Sequence, residues 1–168
     1  MYDFVFLIGS PGSGKTTVGK LLKEKLNSVY IDYDWIREFN LNRSWDNINV
    51  EKDSLALENL LLLLKNYGKH SVQNVIVSGV GDNEMKAILD ELKNYNNIII
   101  KLCISDDEVL KKRVLTESRD SGYRDFAASI QLNKRIRDEV NYPKEHKIDS
   151  TNETPKETAG QIIEMLSK

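Results

Sequence analysis

Five short apolar runs alternate with longer segments of helical period along this chain of 168 residues, and that alternation constrains the fold more than any other feature. The runs are Phe4–Ile8, 29–31, 75–77, 98–102 and, weakly, Lys147 with Ile148. Each is rich in β-branched or aromatic residues and apolar on both faces, the pattern of strands buried between helix layers. Helical period fills Lys15–Leu26, 50–67, 82–94, 106–118, 126–140 and Pro155–Leu166. Asp82 and Asp106 are expected N-caps, and Thr154 puts a capping residue ahead of a proline at the first helical position. Alternation of this kind predicts an α/β fold, a parallel sheet with right-handed crossovers that binds ligands at the carboxyl ends of its strands.

Composition narrows the class. With 40% hydrophobic and 30% charged residues, no internal repeat and no low-complexity linker, residues 1–168 read as one compact domain. The lone Cys103 makes no internal disulfide and builds no cysteine zinc site, which points to a reducing, cytoplasmic setting. No apolar run approaches the roughly 20 residues needed to span a bilayer, and Met1 leads into the first strand without a charged leader, so no membrane is expected. A monomer or weak homodimer is the expected state. The 24 basic and 26 acidic side chains leave a net charge of −2, which argues against a general polyanion binder. The arginines are nevertheless uneven: Arg113, Arg119, Arg124, Arg135 and Arg137 crowd into one window that holds only Glu117, Asp120 and Asp125 as acids.

The first strand runs into Gly9-Ser10-Pro11-Gly12-Ser13-Gly14-Lys15-Thr16, which fits the phosphate-binding pattern G-x-x-x-x-G-K-[ST] at every fixed position. An apolar strand precedes it and a helical segment follows, the context that pattern requires. Small residues let backbone N–H groups wrap an anion at a helix start. Lys15 is positioned by the motif to reach the β- and γ-phosphates of a nucleotide, and the Thr16 hydroxyl to ligate Mg²⁺.

The second strand ends in Tyr30-Ile31-Asp32-Tyr33-Asp34, whose two carboxylates at alternate positions would leave one face of a strand beside the loop. Asp32 is the candidate to hold Mg²⁺, directly or through water, because the third strand ends at Ser78 without an aspartate. Asp34, one step further out, is the candidate to accept a proton from an acceptor hydroxyl. The competing reading is that both aspartates only cap the next helix. Arg37 follows on the same side of a helical turn, placed to grip an anionic group on the acceptor or to pair with Asp34 or Glu38. The third strand end offers Gly79 and Gly81, where glycine permits close approach of a ligand. The polar stretch around Gly122, within about 114–126, suits a lid that delivers Arg119 or Arg124 to a migrating phosphoryl group, with Arg113 at its base.

Taken together, the N-terminal P-loop, the Asp-x-Asp segment, the glycine pair, the arginine-bearing lid and the late Ile148-Asp149-Ser150-Thr151 segment resemble the shikimate kinase and gluconate kinase branch of the nucleoside-monophosphate-kinase-like fold. That resemblance implies a three-layer P-loop NTPase fold with five parallel strands in the order 2-3-1-4-5. It implies that Gly12, Ser13, Gly14, Lys15, Thr16 and Thr17 bind ATP phosphates and that Asp34 orients or deprotonates the acceptor. Gly79 and Gly81 would line the acceptor pocket, Arg119 would be the lid arginine, and Arg113 would sit by the adenine with residues 150–155 around its other side. Three departures turn the expectation away from shikimate itself: no arginine lies in 51–55, Val80 interrupts the glycines, and the lid lacks Arg-Pro. The Asp34-x-x-Arg37 spacing also resembles polynucleotide 5′-hydroxyl kinases and some nucleoside kinases.

The function expected is therefore transfer of the γ-phosphoryl group of ATP, with Mg²⁺, to a hydroxyl of a small polar or anionic metabolite. Without a basic groove outside the lid, a long polynucleotide acceptor is disfavoured. A nucleoside, nucleotide or polynucleotide kinase, and an ATP-binding regulatory protein without kinase activity, are the alternatives. Trp35 and Trp45 flank the acceptor region, as stacking or packing residues. His70 and His146 stand in polar surroundings and read as surface residues.

Overall fold

In the computed structural model, which describes residues 1–117 and 122–168, five strands form one parallel sheet. They are β1 (Phe4–Ile8), β2 (Tyr30–Asp32), β3 (Val75–Ser78), β4 (Asn97–Cys103) and β5 (Glu145–Asp149), in the order β2-β3-β1-β4-β5. That is the order expected from the sequence. β1 lies in the middle, with Phe4 beside both Val75 and Asn97. The seven described helices are α1 (Lys15–Leu26), α2 (Tyr33–Arg37), α3 (Val50–Lys69), α4 (Asp82–Glu91), α5 (Asp107–Leu115), α6 (Phe126–Asp138) and α7 (Pro155–Leu166).

Side-chain alternation along β1 explains the layers. Phe4, Phe6 and Ile8 enter one core with Leu60 and Leu64 of α3, Met85 and Ile88 of α4 and Ile136 of α6. Val5 and Leu7 enter the opposite core with Val18 and Leu22 of α1 and Ala159 and Ile162 of α7. Both faces of the sheet are covered, which is why the strands read as continuous apolar runs. A third cluster, Ile104, Leu110 and Val114 with Phe126 and Ile130, joins α5 to α6 on either side of residues 116–125. Among the described residues, no helix is long and apolar enough to cross a membrane.

Helix termini mostly follow local chemistry. Asp106 caps α5 by accepting from the N–H groups of Glu108 and Val109. Thr154 and Glu157 form a reciprocal capping box at α7. Asp82 departs from expectation: Gly81 is the cap, and Asp82 is the first helical residue, its carboxylate accepting from Tyr142 Oη at 2.8 Å. That tertiary partner outcompetes a local cap. The chain also turns into α2 one residue after β2 ends, so Asp34 lies in a helix and strand alternation does not place it. Finally, Lys101 interrupts the apolar β4 and is 1% exposed; its Nζ meets Glu145 Oε2 at 2.8 Å and donates to Glu139 O at 3.0 Å. A buried ammonium survives there because it is paired and hydrogen-bonded.

Candidate active site

The loop between β1 and α1 owes its shape to glycine. Gly12 and Gly14 have φ of +90° and +95°, the left-handed region that side chains rarely adopt. At Gly12 a Cβ would also lie 2.8 Å from Val114 Cγ2 of α5. The N-cap of α1 is Gly14, with no side-chain cap and no acid in the first turn, so the first N–H groups of α1 are left for an anion. Lys15 folds back across the loop, donating from Nζ to Gly9 O at 2.6 Å and Ser10 O at 3.0 Å. Ser10 and Ser13 are buried, and neither hydroxyl has a hydrogen-bond partner among the described residues.

A cleft of about 360 Å³ opens from this loop towards α5 and the start of α7. Residues 11–18 floor it, and Arg113, Thr116, Ser150, Glu153, Pro155 and Thr158 wall it. Arg113 donates from Nη2 to Ser150 O at 2.9 Å and Thr151 O at 3.0 Å, tying α5 to the loop after β5. The Thr151 hydroxyl meets Asp149 and accepts from the N–H of Ser105 at 2.7 Å, which fixes that loop in turn. The cleft thus has the glycine-rich loop and the start of α1 at one end and an arginine between two chain segments at the other.

On the opposite side of the loop, Asp32 is the hub. Its Oδ1 accepts from the N–H of Asp34 at 3.3 Å, the N-cap of α2. Its Oδ2 accepts from Tyr30 Oη at 3.0 Å and lies 3.5 Å from Thr16 Oγ1. The capping role anticipated for Asp32 and its approach to Thr16 coexist. Gly79, with φ of +83°, sits against this hub: a Cβ there would be 2.7 Å from Asp32 Oδ1. Gly81 opens α4, with the flexible end of Glu84 as its neighbour. Burial and the Asp32 charge push the Asp34 carboxyl above the usual aspartate range, against the opposing pull of Arg37 and Lys15.

Arg37 is held within the protein in two directions. Its Nε donates to Asp53 Oδ1 of α3 at 3.0 Å, and its Nη1 lies 3.6 Å from Asp34 Oδ1. The guanidinium stacks 4.4 Å from the Trp45 ring centroid. The pairing with Asp34 was one of the two readings of the sequence; the Asp53 partner, sixteen residues on, was not foreseen. Arg124 donates to the neighbouring Tyr123 O. Arg119 lies outside the described residues.

One residue of this site went unread. In the sequence Tyr30 reads as an apolar strand residue, yet its Oη is 2.7 Å from Ser78 Oγ as well as 3.0 Å from Asp32 Oδ2. Burial pushes its phenol well above the ordinary range, so it stays a donor. Two signals were available: Tyr30 and Asp32 share a strand face, and Gly19 interrupts a helix at the point where the Tyr30 ring packs.

The donors present suit Mg²⁺. Thr16 and Asp32 offer a hydroxyl and a carboxylate side by side. Mg²⁺ is held in this sparse way, by one or two protein oxygens together with waters and substrate phosphates.

A family model described as an AAA domain matches residues 5–131. A shikimate kinase of Staphylococcus epidermidis is 33% identical over 132 residues, which span 77% of this chain and 72% of that one. The chain belongs to the shikimate and gluconate kinase branch of the P-loop kinases. As a P-loop kinase it is a nucleotide-using phosphotransferase with an alcohol group as acceptor. The fold of this kinase is shared with a sugar kinase of Janibacter (TM-score 0.73, 15% identity, 98% and 94% of the two chains). It is likewise shared with a shikimate kinase of Bacteroides thetaiotaomicron (TM-score 0.67, 19% identity, 98% of each chain).

Proposed function

We propose that this P-loop kinase transfers the γ-phosphoryl group of ATP, taken up with Mg²⁺, to a hydroxyl of a small polar or anionic metabolite. The observation that carries the proposal is the meeting of Asp32 with Thr16 at the loop, with the Asp34 carboxyl one helical step beyond it. That arrangement supplies a cation site next to the phosphates and a proton acceptor next to the cation site. Thr16 and Asp32 would hold Mg²⁺, whose charge neutralises the β- and γ-phosphates when bound.

The chain's own residues account for the rest. N–H groups of the loop and of the first turn of α1 bind the phosphates, with Gly12, Ser13, Gly14, Thr16 and Thr17 at the contact. Lys15 leaves its loop carbonyls and turns to the phosphate oxygens. Arg113 and the 150–155 segment bracket the adenine. In the in-line displacement the acceptor oxygen bonds to the γ-phosphorus and the bond to the β-bridging oxygen breaks. The hydroxyl proton passes to Asp34, whose raised affinity for protons suits a general base. Gly79 and Gly81 admit the acceptor, and Arg37 steadies Asp34 or meets an anionic group of the acceptor. Arg119 would bring positive charge over the migrating group as a lid at about 114–126 closes. The chain is read as one kinase domain, monomeric or weakly dimeric, and the buried Cys103 suits a reducing cytoplasm.

Acceptor-dependent ADP production, screened over polyols, hydroxy acids, nucleosides and 5′-hydroxyl oligonucleotides, tests the proposal. Turnover should be slow with ATP alone and rise strongly with one acceptor class. A Lys15→Ala variant that keeps wild-type ATP affinity would overturn it.

A further inference from the structure

Tyr30, Asp32 and Ser78 lie on the face of the sheet that α1 covers. Asp32 and Ser78 are cross-strand neighbours, and Tyr30 precedes Asp32 by one pleat. The hydrogen bonds among them have only one consistent direction. An ionised carboxylate accepts only, so the single proton of Tyr30 Oη goes to Asp32 Oδ2, and Ser78 Oγ must donate to Tyr30. The Thr16 hydroxyl approaches the same oxygen, with its Oγ1 3.5 Å from Asp32 Oδ2. With Oδ1 taken by the N–H of Asp34, the carboxylate is fixed from three sides.

The ring is fixed as well. Glycine at position 19 leaves α1 without a side chain where the Tyr30 ring edge packs, closer than any Cβ would allow. A helix-interior glycine costs roughly 1 kcal/mol against alanine, so its presence marks a need for that close approach. On the other flank Trp35 meets the ring edge-on, with centroids 5.7 Å apart at 84°. Tyr30 is thus clamped between the helix that carries Thr16 and the helix that carries Asp34, with its hydroxyl on the carboxylate between them.

We propose that Tyr30 is a positioning residue for the divalent cation: its hydroxyl, oriented by Ser78, sets the Asp32 carboxylate so that Asp32 and Thr16 present their remaining lone pairs to one ion. The inference rests on the reading of Thr16 and Asp32 as the Mg²⁺ site. Groups that orient a ligand in this way typically influence metal affinity 10- to 100-fold. Because the cation also binds water and phosphate, an effect of about tenfold is expected here.

The test measures the dissociation constant of ADP by calorimetry in EDTA and in excess Mg²⁺, and takes the ratio of the two. Tyr30→Phe keeps the ring against Gly19 and Trp35 and removes only the hydroxyl. It should leave the EDTA constant within about twofold and shrink the Mg²⁺-dependent tightening about tenfold. Ser78→Ala, which frees Tyr30 Oη to rotate, should shift the ratio in the same direction by less. A Tyr30→Phe ratio equal to that of the wild type, whether or not both constants weaken together, overturns the inference and leaves the kinase reading intact. A wild-type protein whose ADP affinity ignores Mg²⁺ overturns the cation site and the role of Tyr30 together.

Discussion

Replacing Gly79 by alanine tests whether Asp32 is held where the site needs it. The new Cβ would stand 2.7 Å from Asp32 Oδ1, 3.3 Å from the N of Tyr33 and 3.4 Å from the N of Asp34. The backbone atoms cannot yield, so the carboxylate must swing away. Two costs add: about 1–2 kcal/mol for an alanine forced to the left-handed φ of Gly79, and about 1 kcal/mol for the lost N-cap of α2. Gly122 isolates the first cost, since its φ is +65° and no described residue lies within 4 Å of a Cβ built on it. At about 2–4 °C per kcal/mol for a chain of this size, Gly79→Ala should melt about 2–4 °C below Gly122→Ala. Differential scanning calorimetry on both variants measures this. Titration of phosphoryl transfer with Mg²⁺ should also show Gly79→Ala needing more cation for half-maximal rate. Equal melting of the two variants, with an unchanged Mg²⁺ requirement, would refute the reasoning.

Three further outcomes are expected. Asp34→Asn should lower acceptor phosphorylation about 10²–10⁴-fold while ATP binding by calorimetry stays within about twofold, because only the proposed proton acceptor is removed. Arg113→Ala should weaken ATP binding roughly tenfold through the freed 150–151 loop, and leave binding of inorganic tripolyphosphate unchanged. Glu145→Gln leaves the Lys101 ammonium buried without its counter-charge and should cost about 3–5 kcal/mol in chemical denaturation. Burial works to raise the Glu145 carboxyl, but Lys101 and the N–H groups of Asn141 and Tyr142 outweigh it and hold it below the usual range. A lowered carboxyl stabilises the fold above its unfolded pKa of about 4.3 and loses that contribution as pH falls through the lower folded value. The gap between wild type and Glu145→Gln should therefore narrow in acid.

What the sequence made legible is what short-range chemistry decides. The apolar runs read as strands because both faces are covered, and the loop at residues 9–16 reads as an anion site because its glycines and the following helix are contiguous. The Thr154 cap ahead of Pro155 is legible for the same reason. Asp34 shows the limit: alternation along a strand would have placed it, but the chain enters α2 at Tyr33, and a helical turn places it instead. Lys101 and Tyr30 were absorbed into apolar strands because their polar tips meet groups brought by distant segments, Glu145 and Ser78. Arg37 has the same history, since its firmest partner, Asp53, arrives on the next long helix. Asp82 reads as a local cap and instead takes a partner sixty residues away.

The resting bonds of Lys15 to Gly9 O and Ser10 O give that side chain a second occupation. The ammonium cross-braces the turn from the inside, so one of the loop's own members holds its curvature. On the proposed reading, a phosphate that engages Lys15 displaces that brace, and its net affinity is the difference between the two engagements. Charge removal at position 15 therefore slackens the empty loop as well as depriving the filled one. The variant that separates the two consequences is one that restores the brace without the charge, and on the proposed reading the wild-type protein should bind phosphate more weakly than its full set of contacts would suggest.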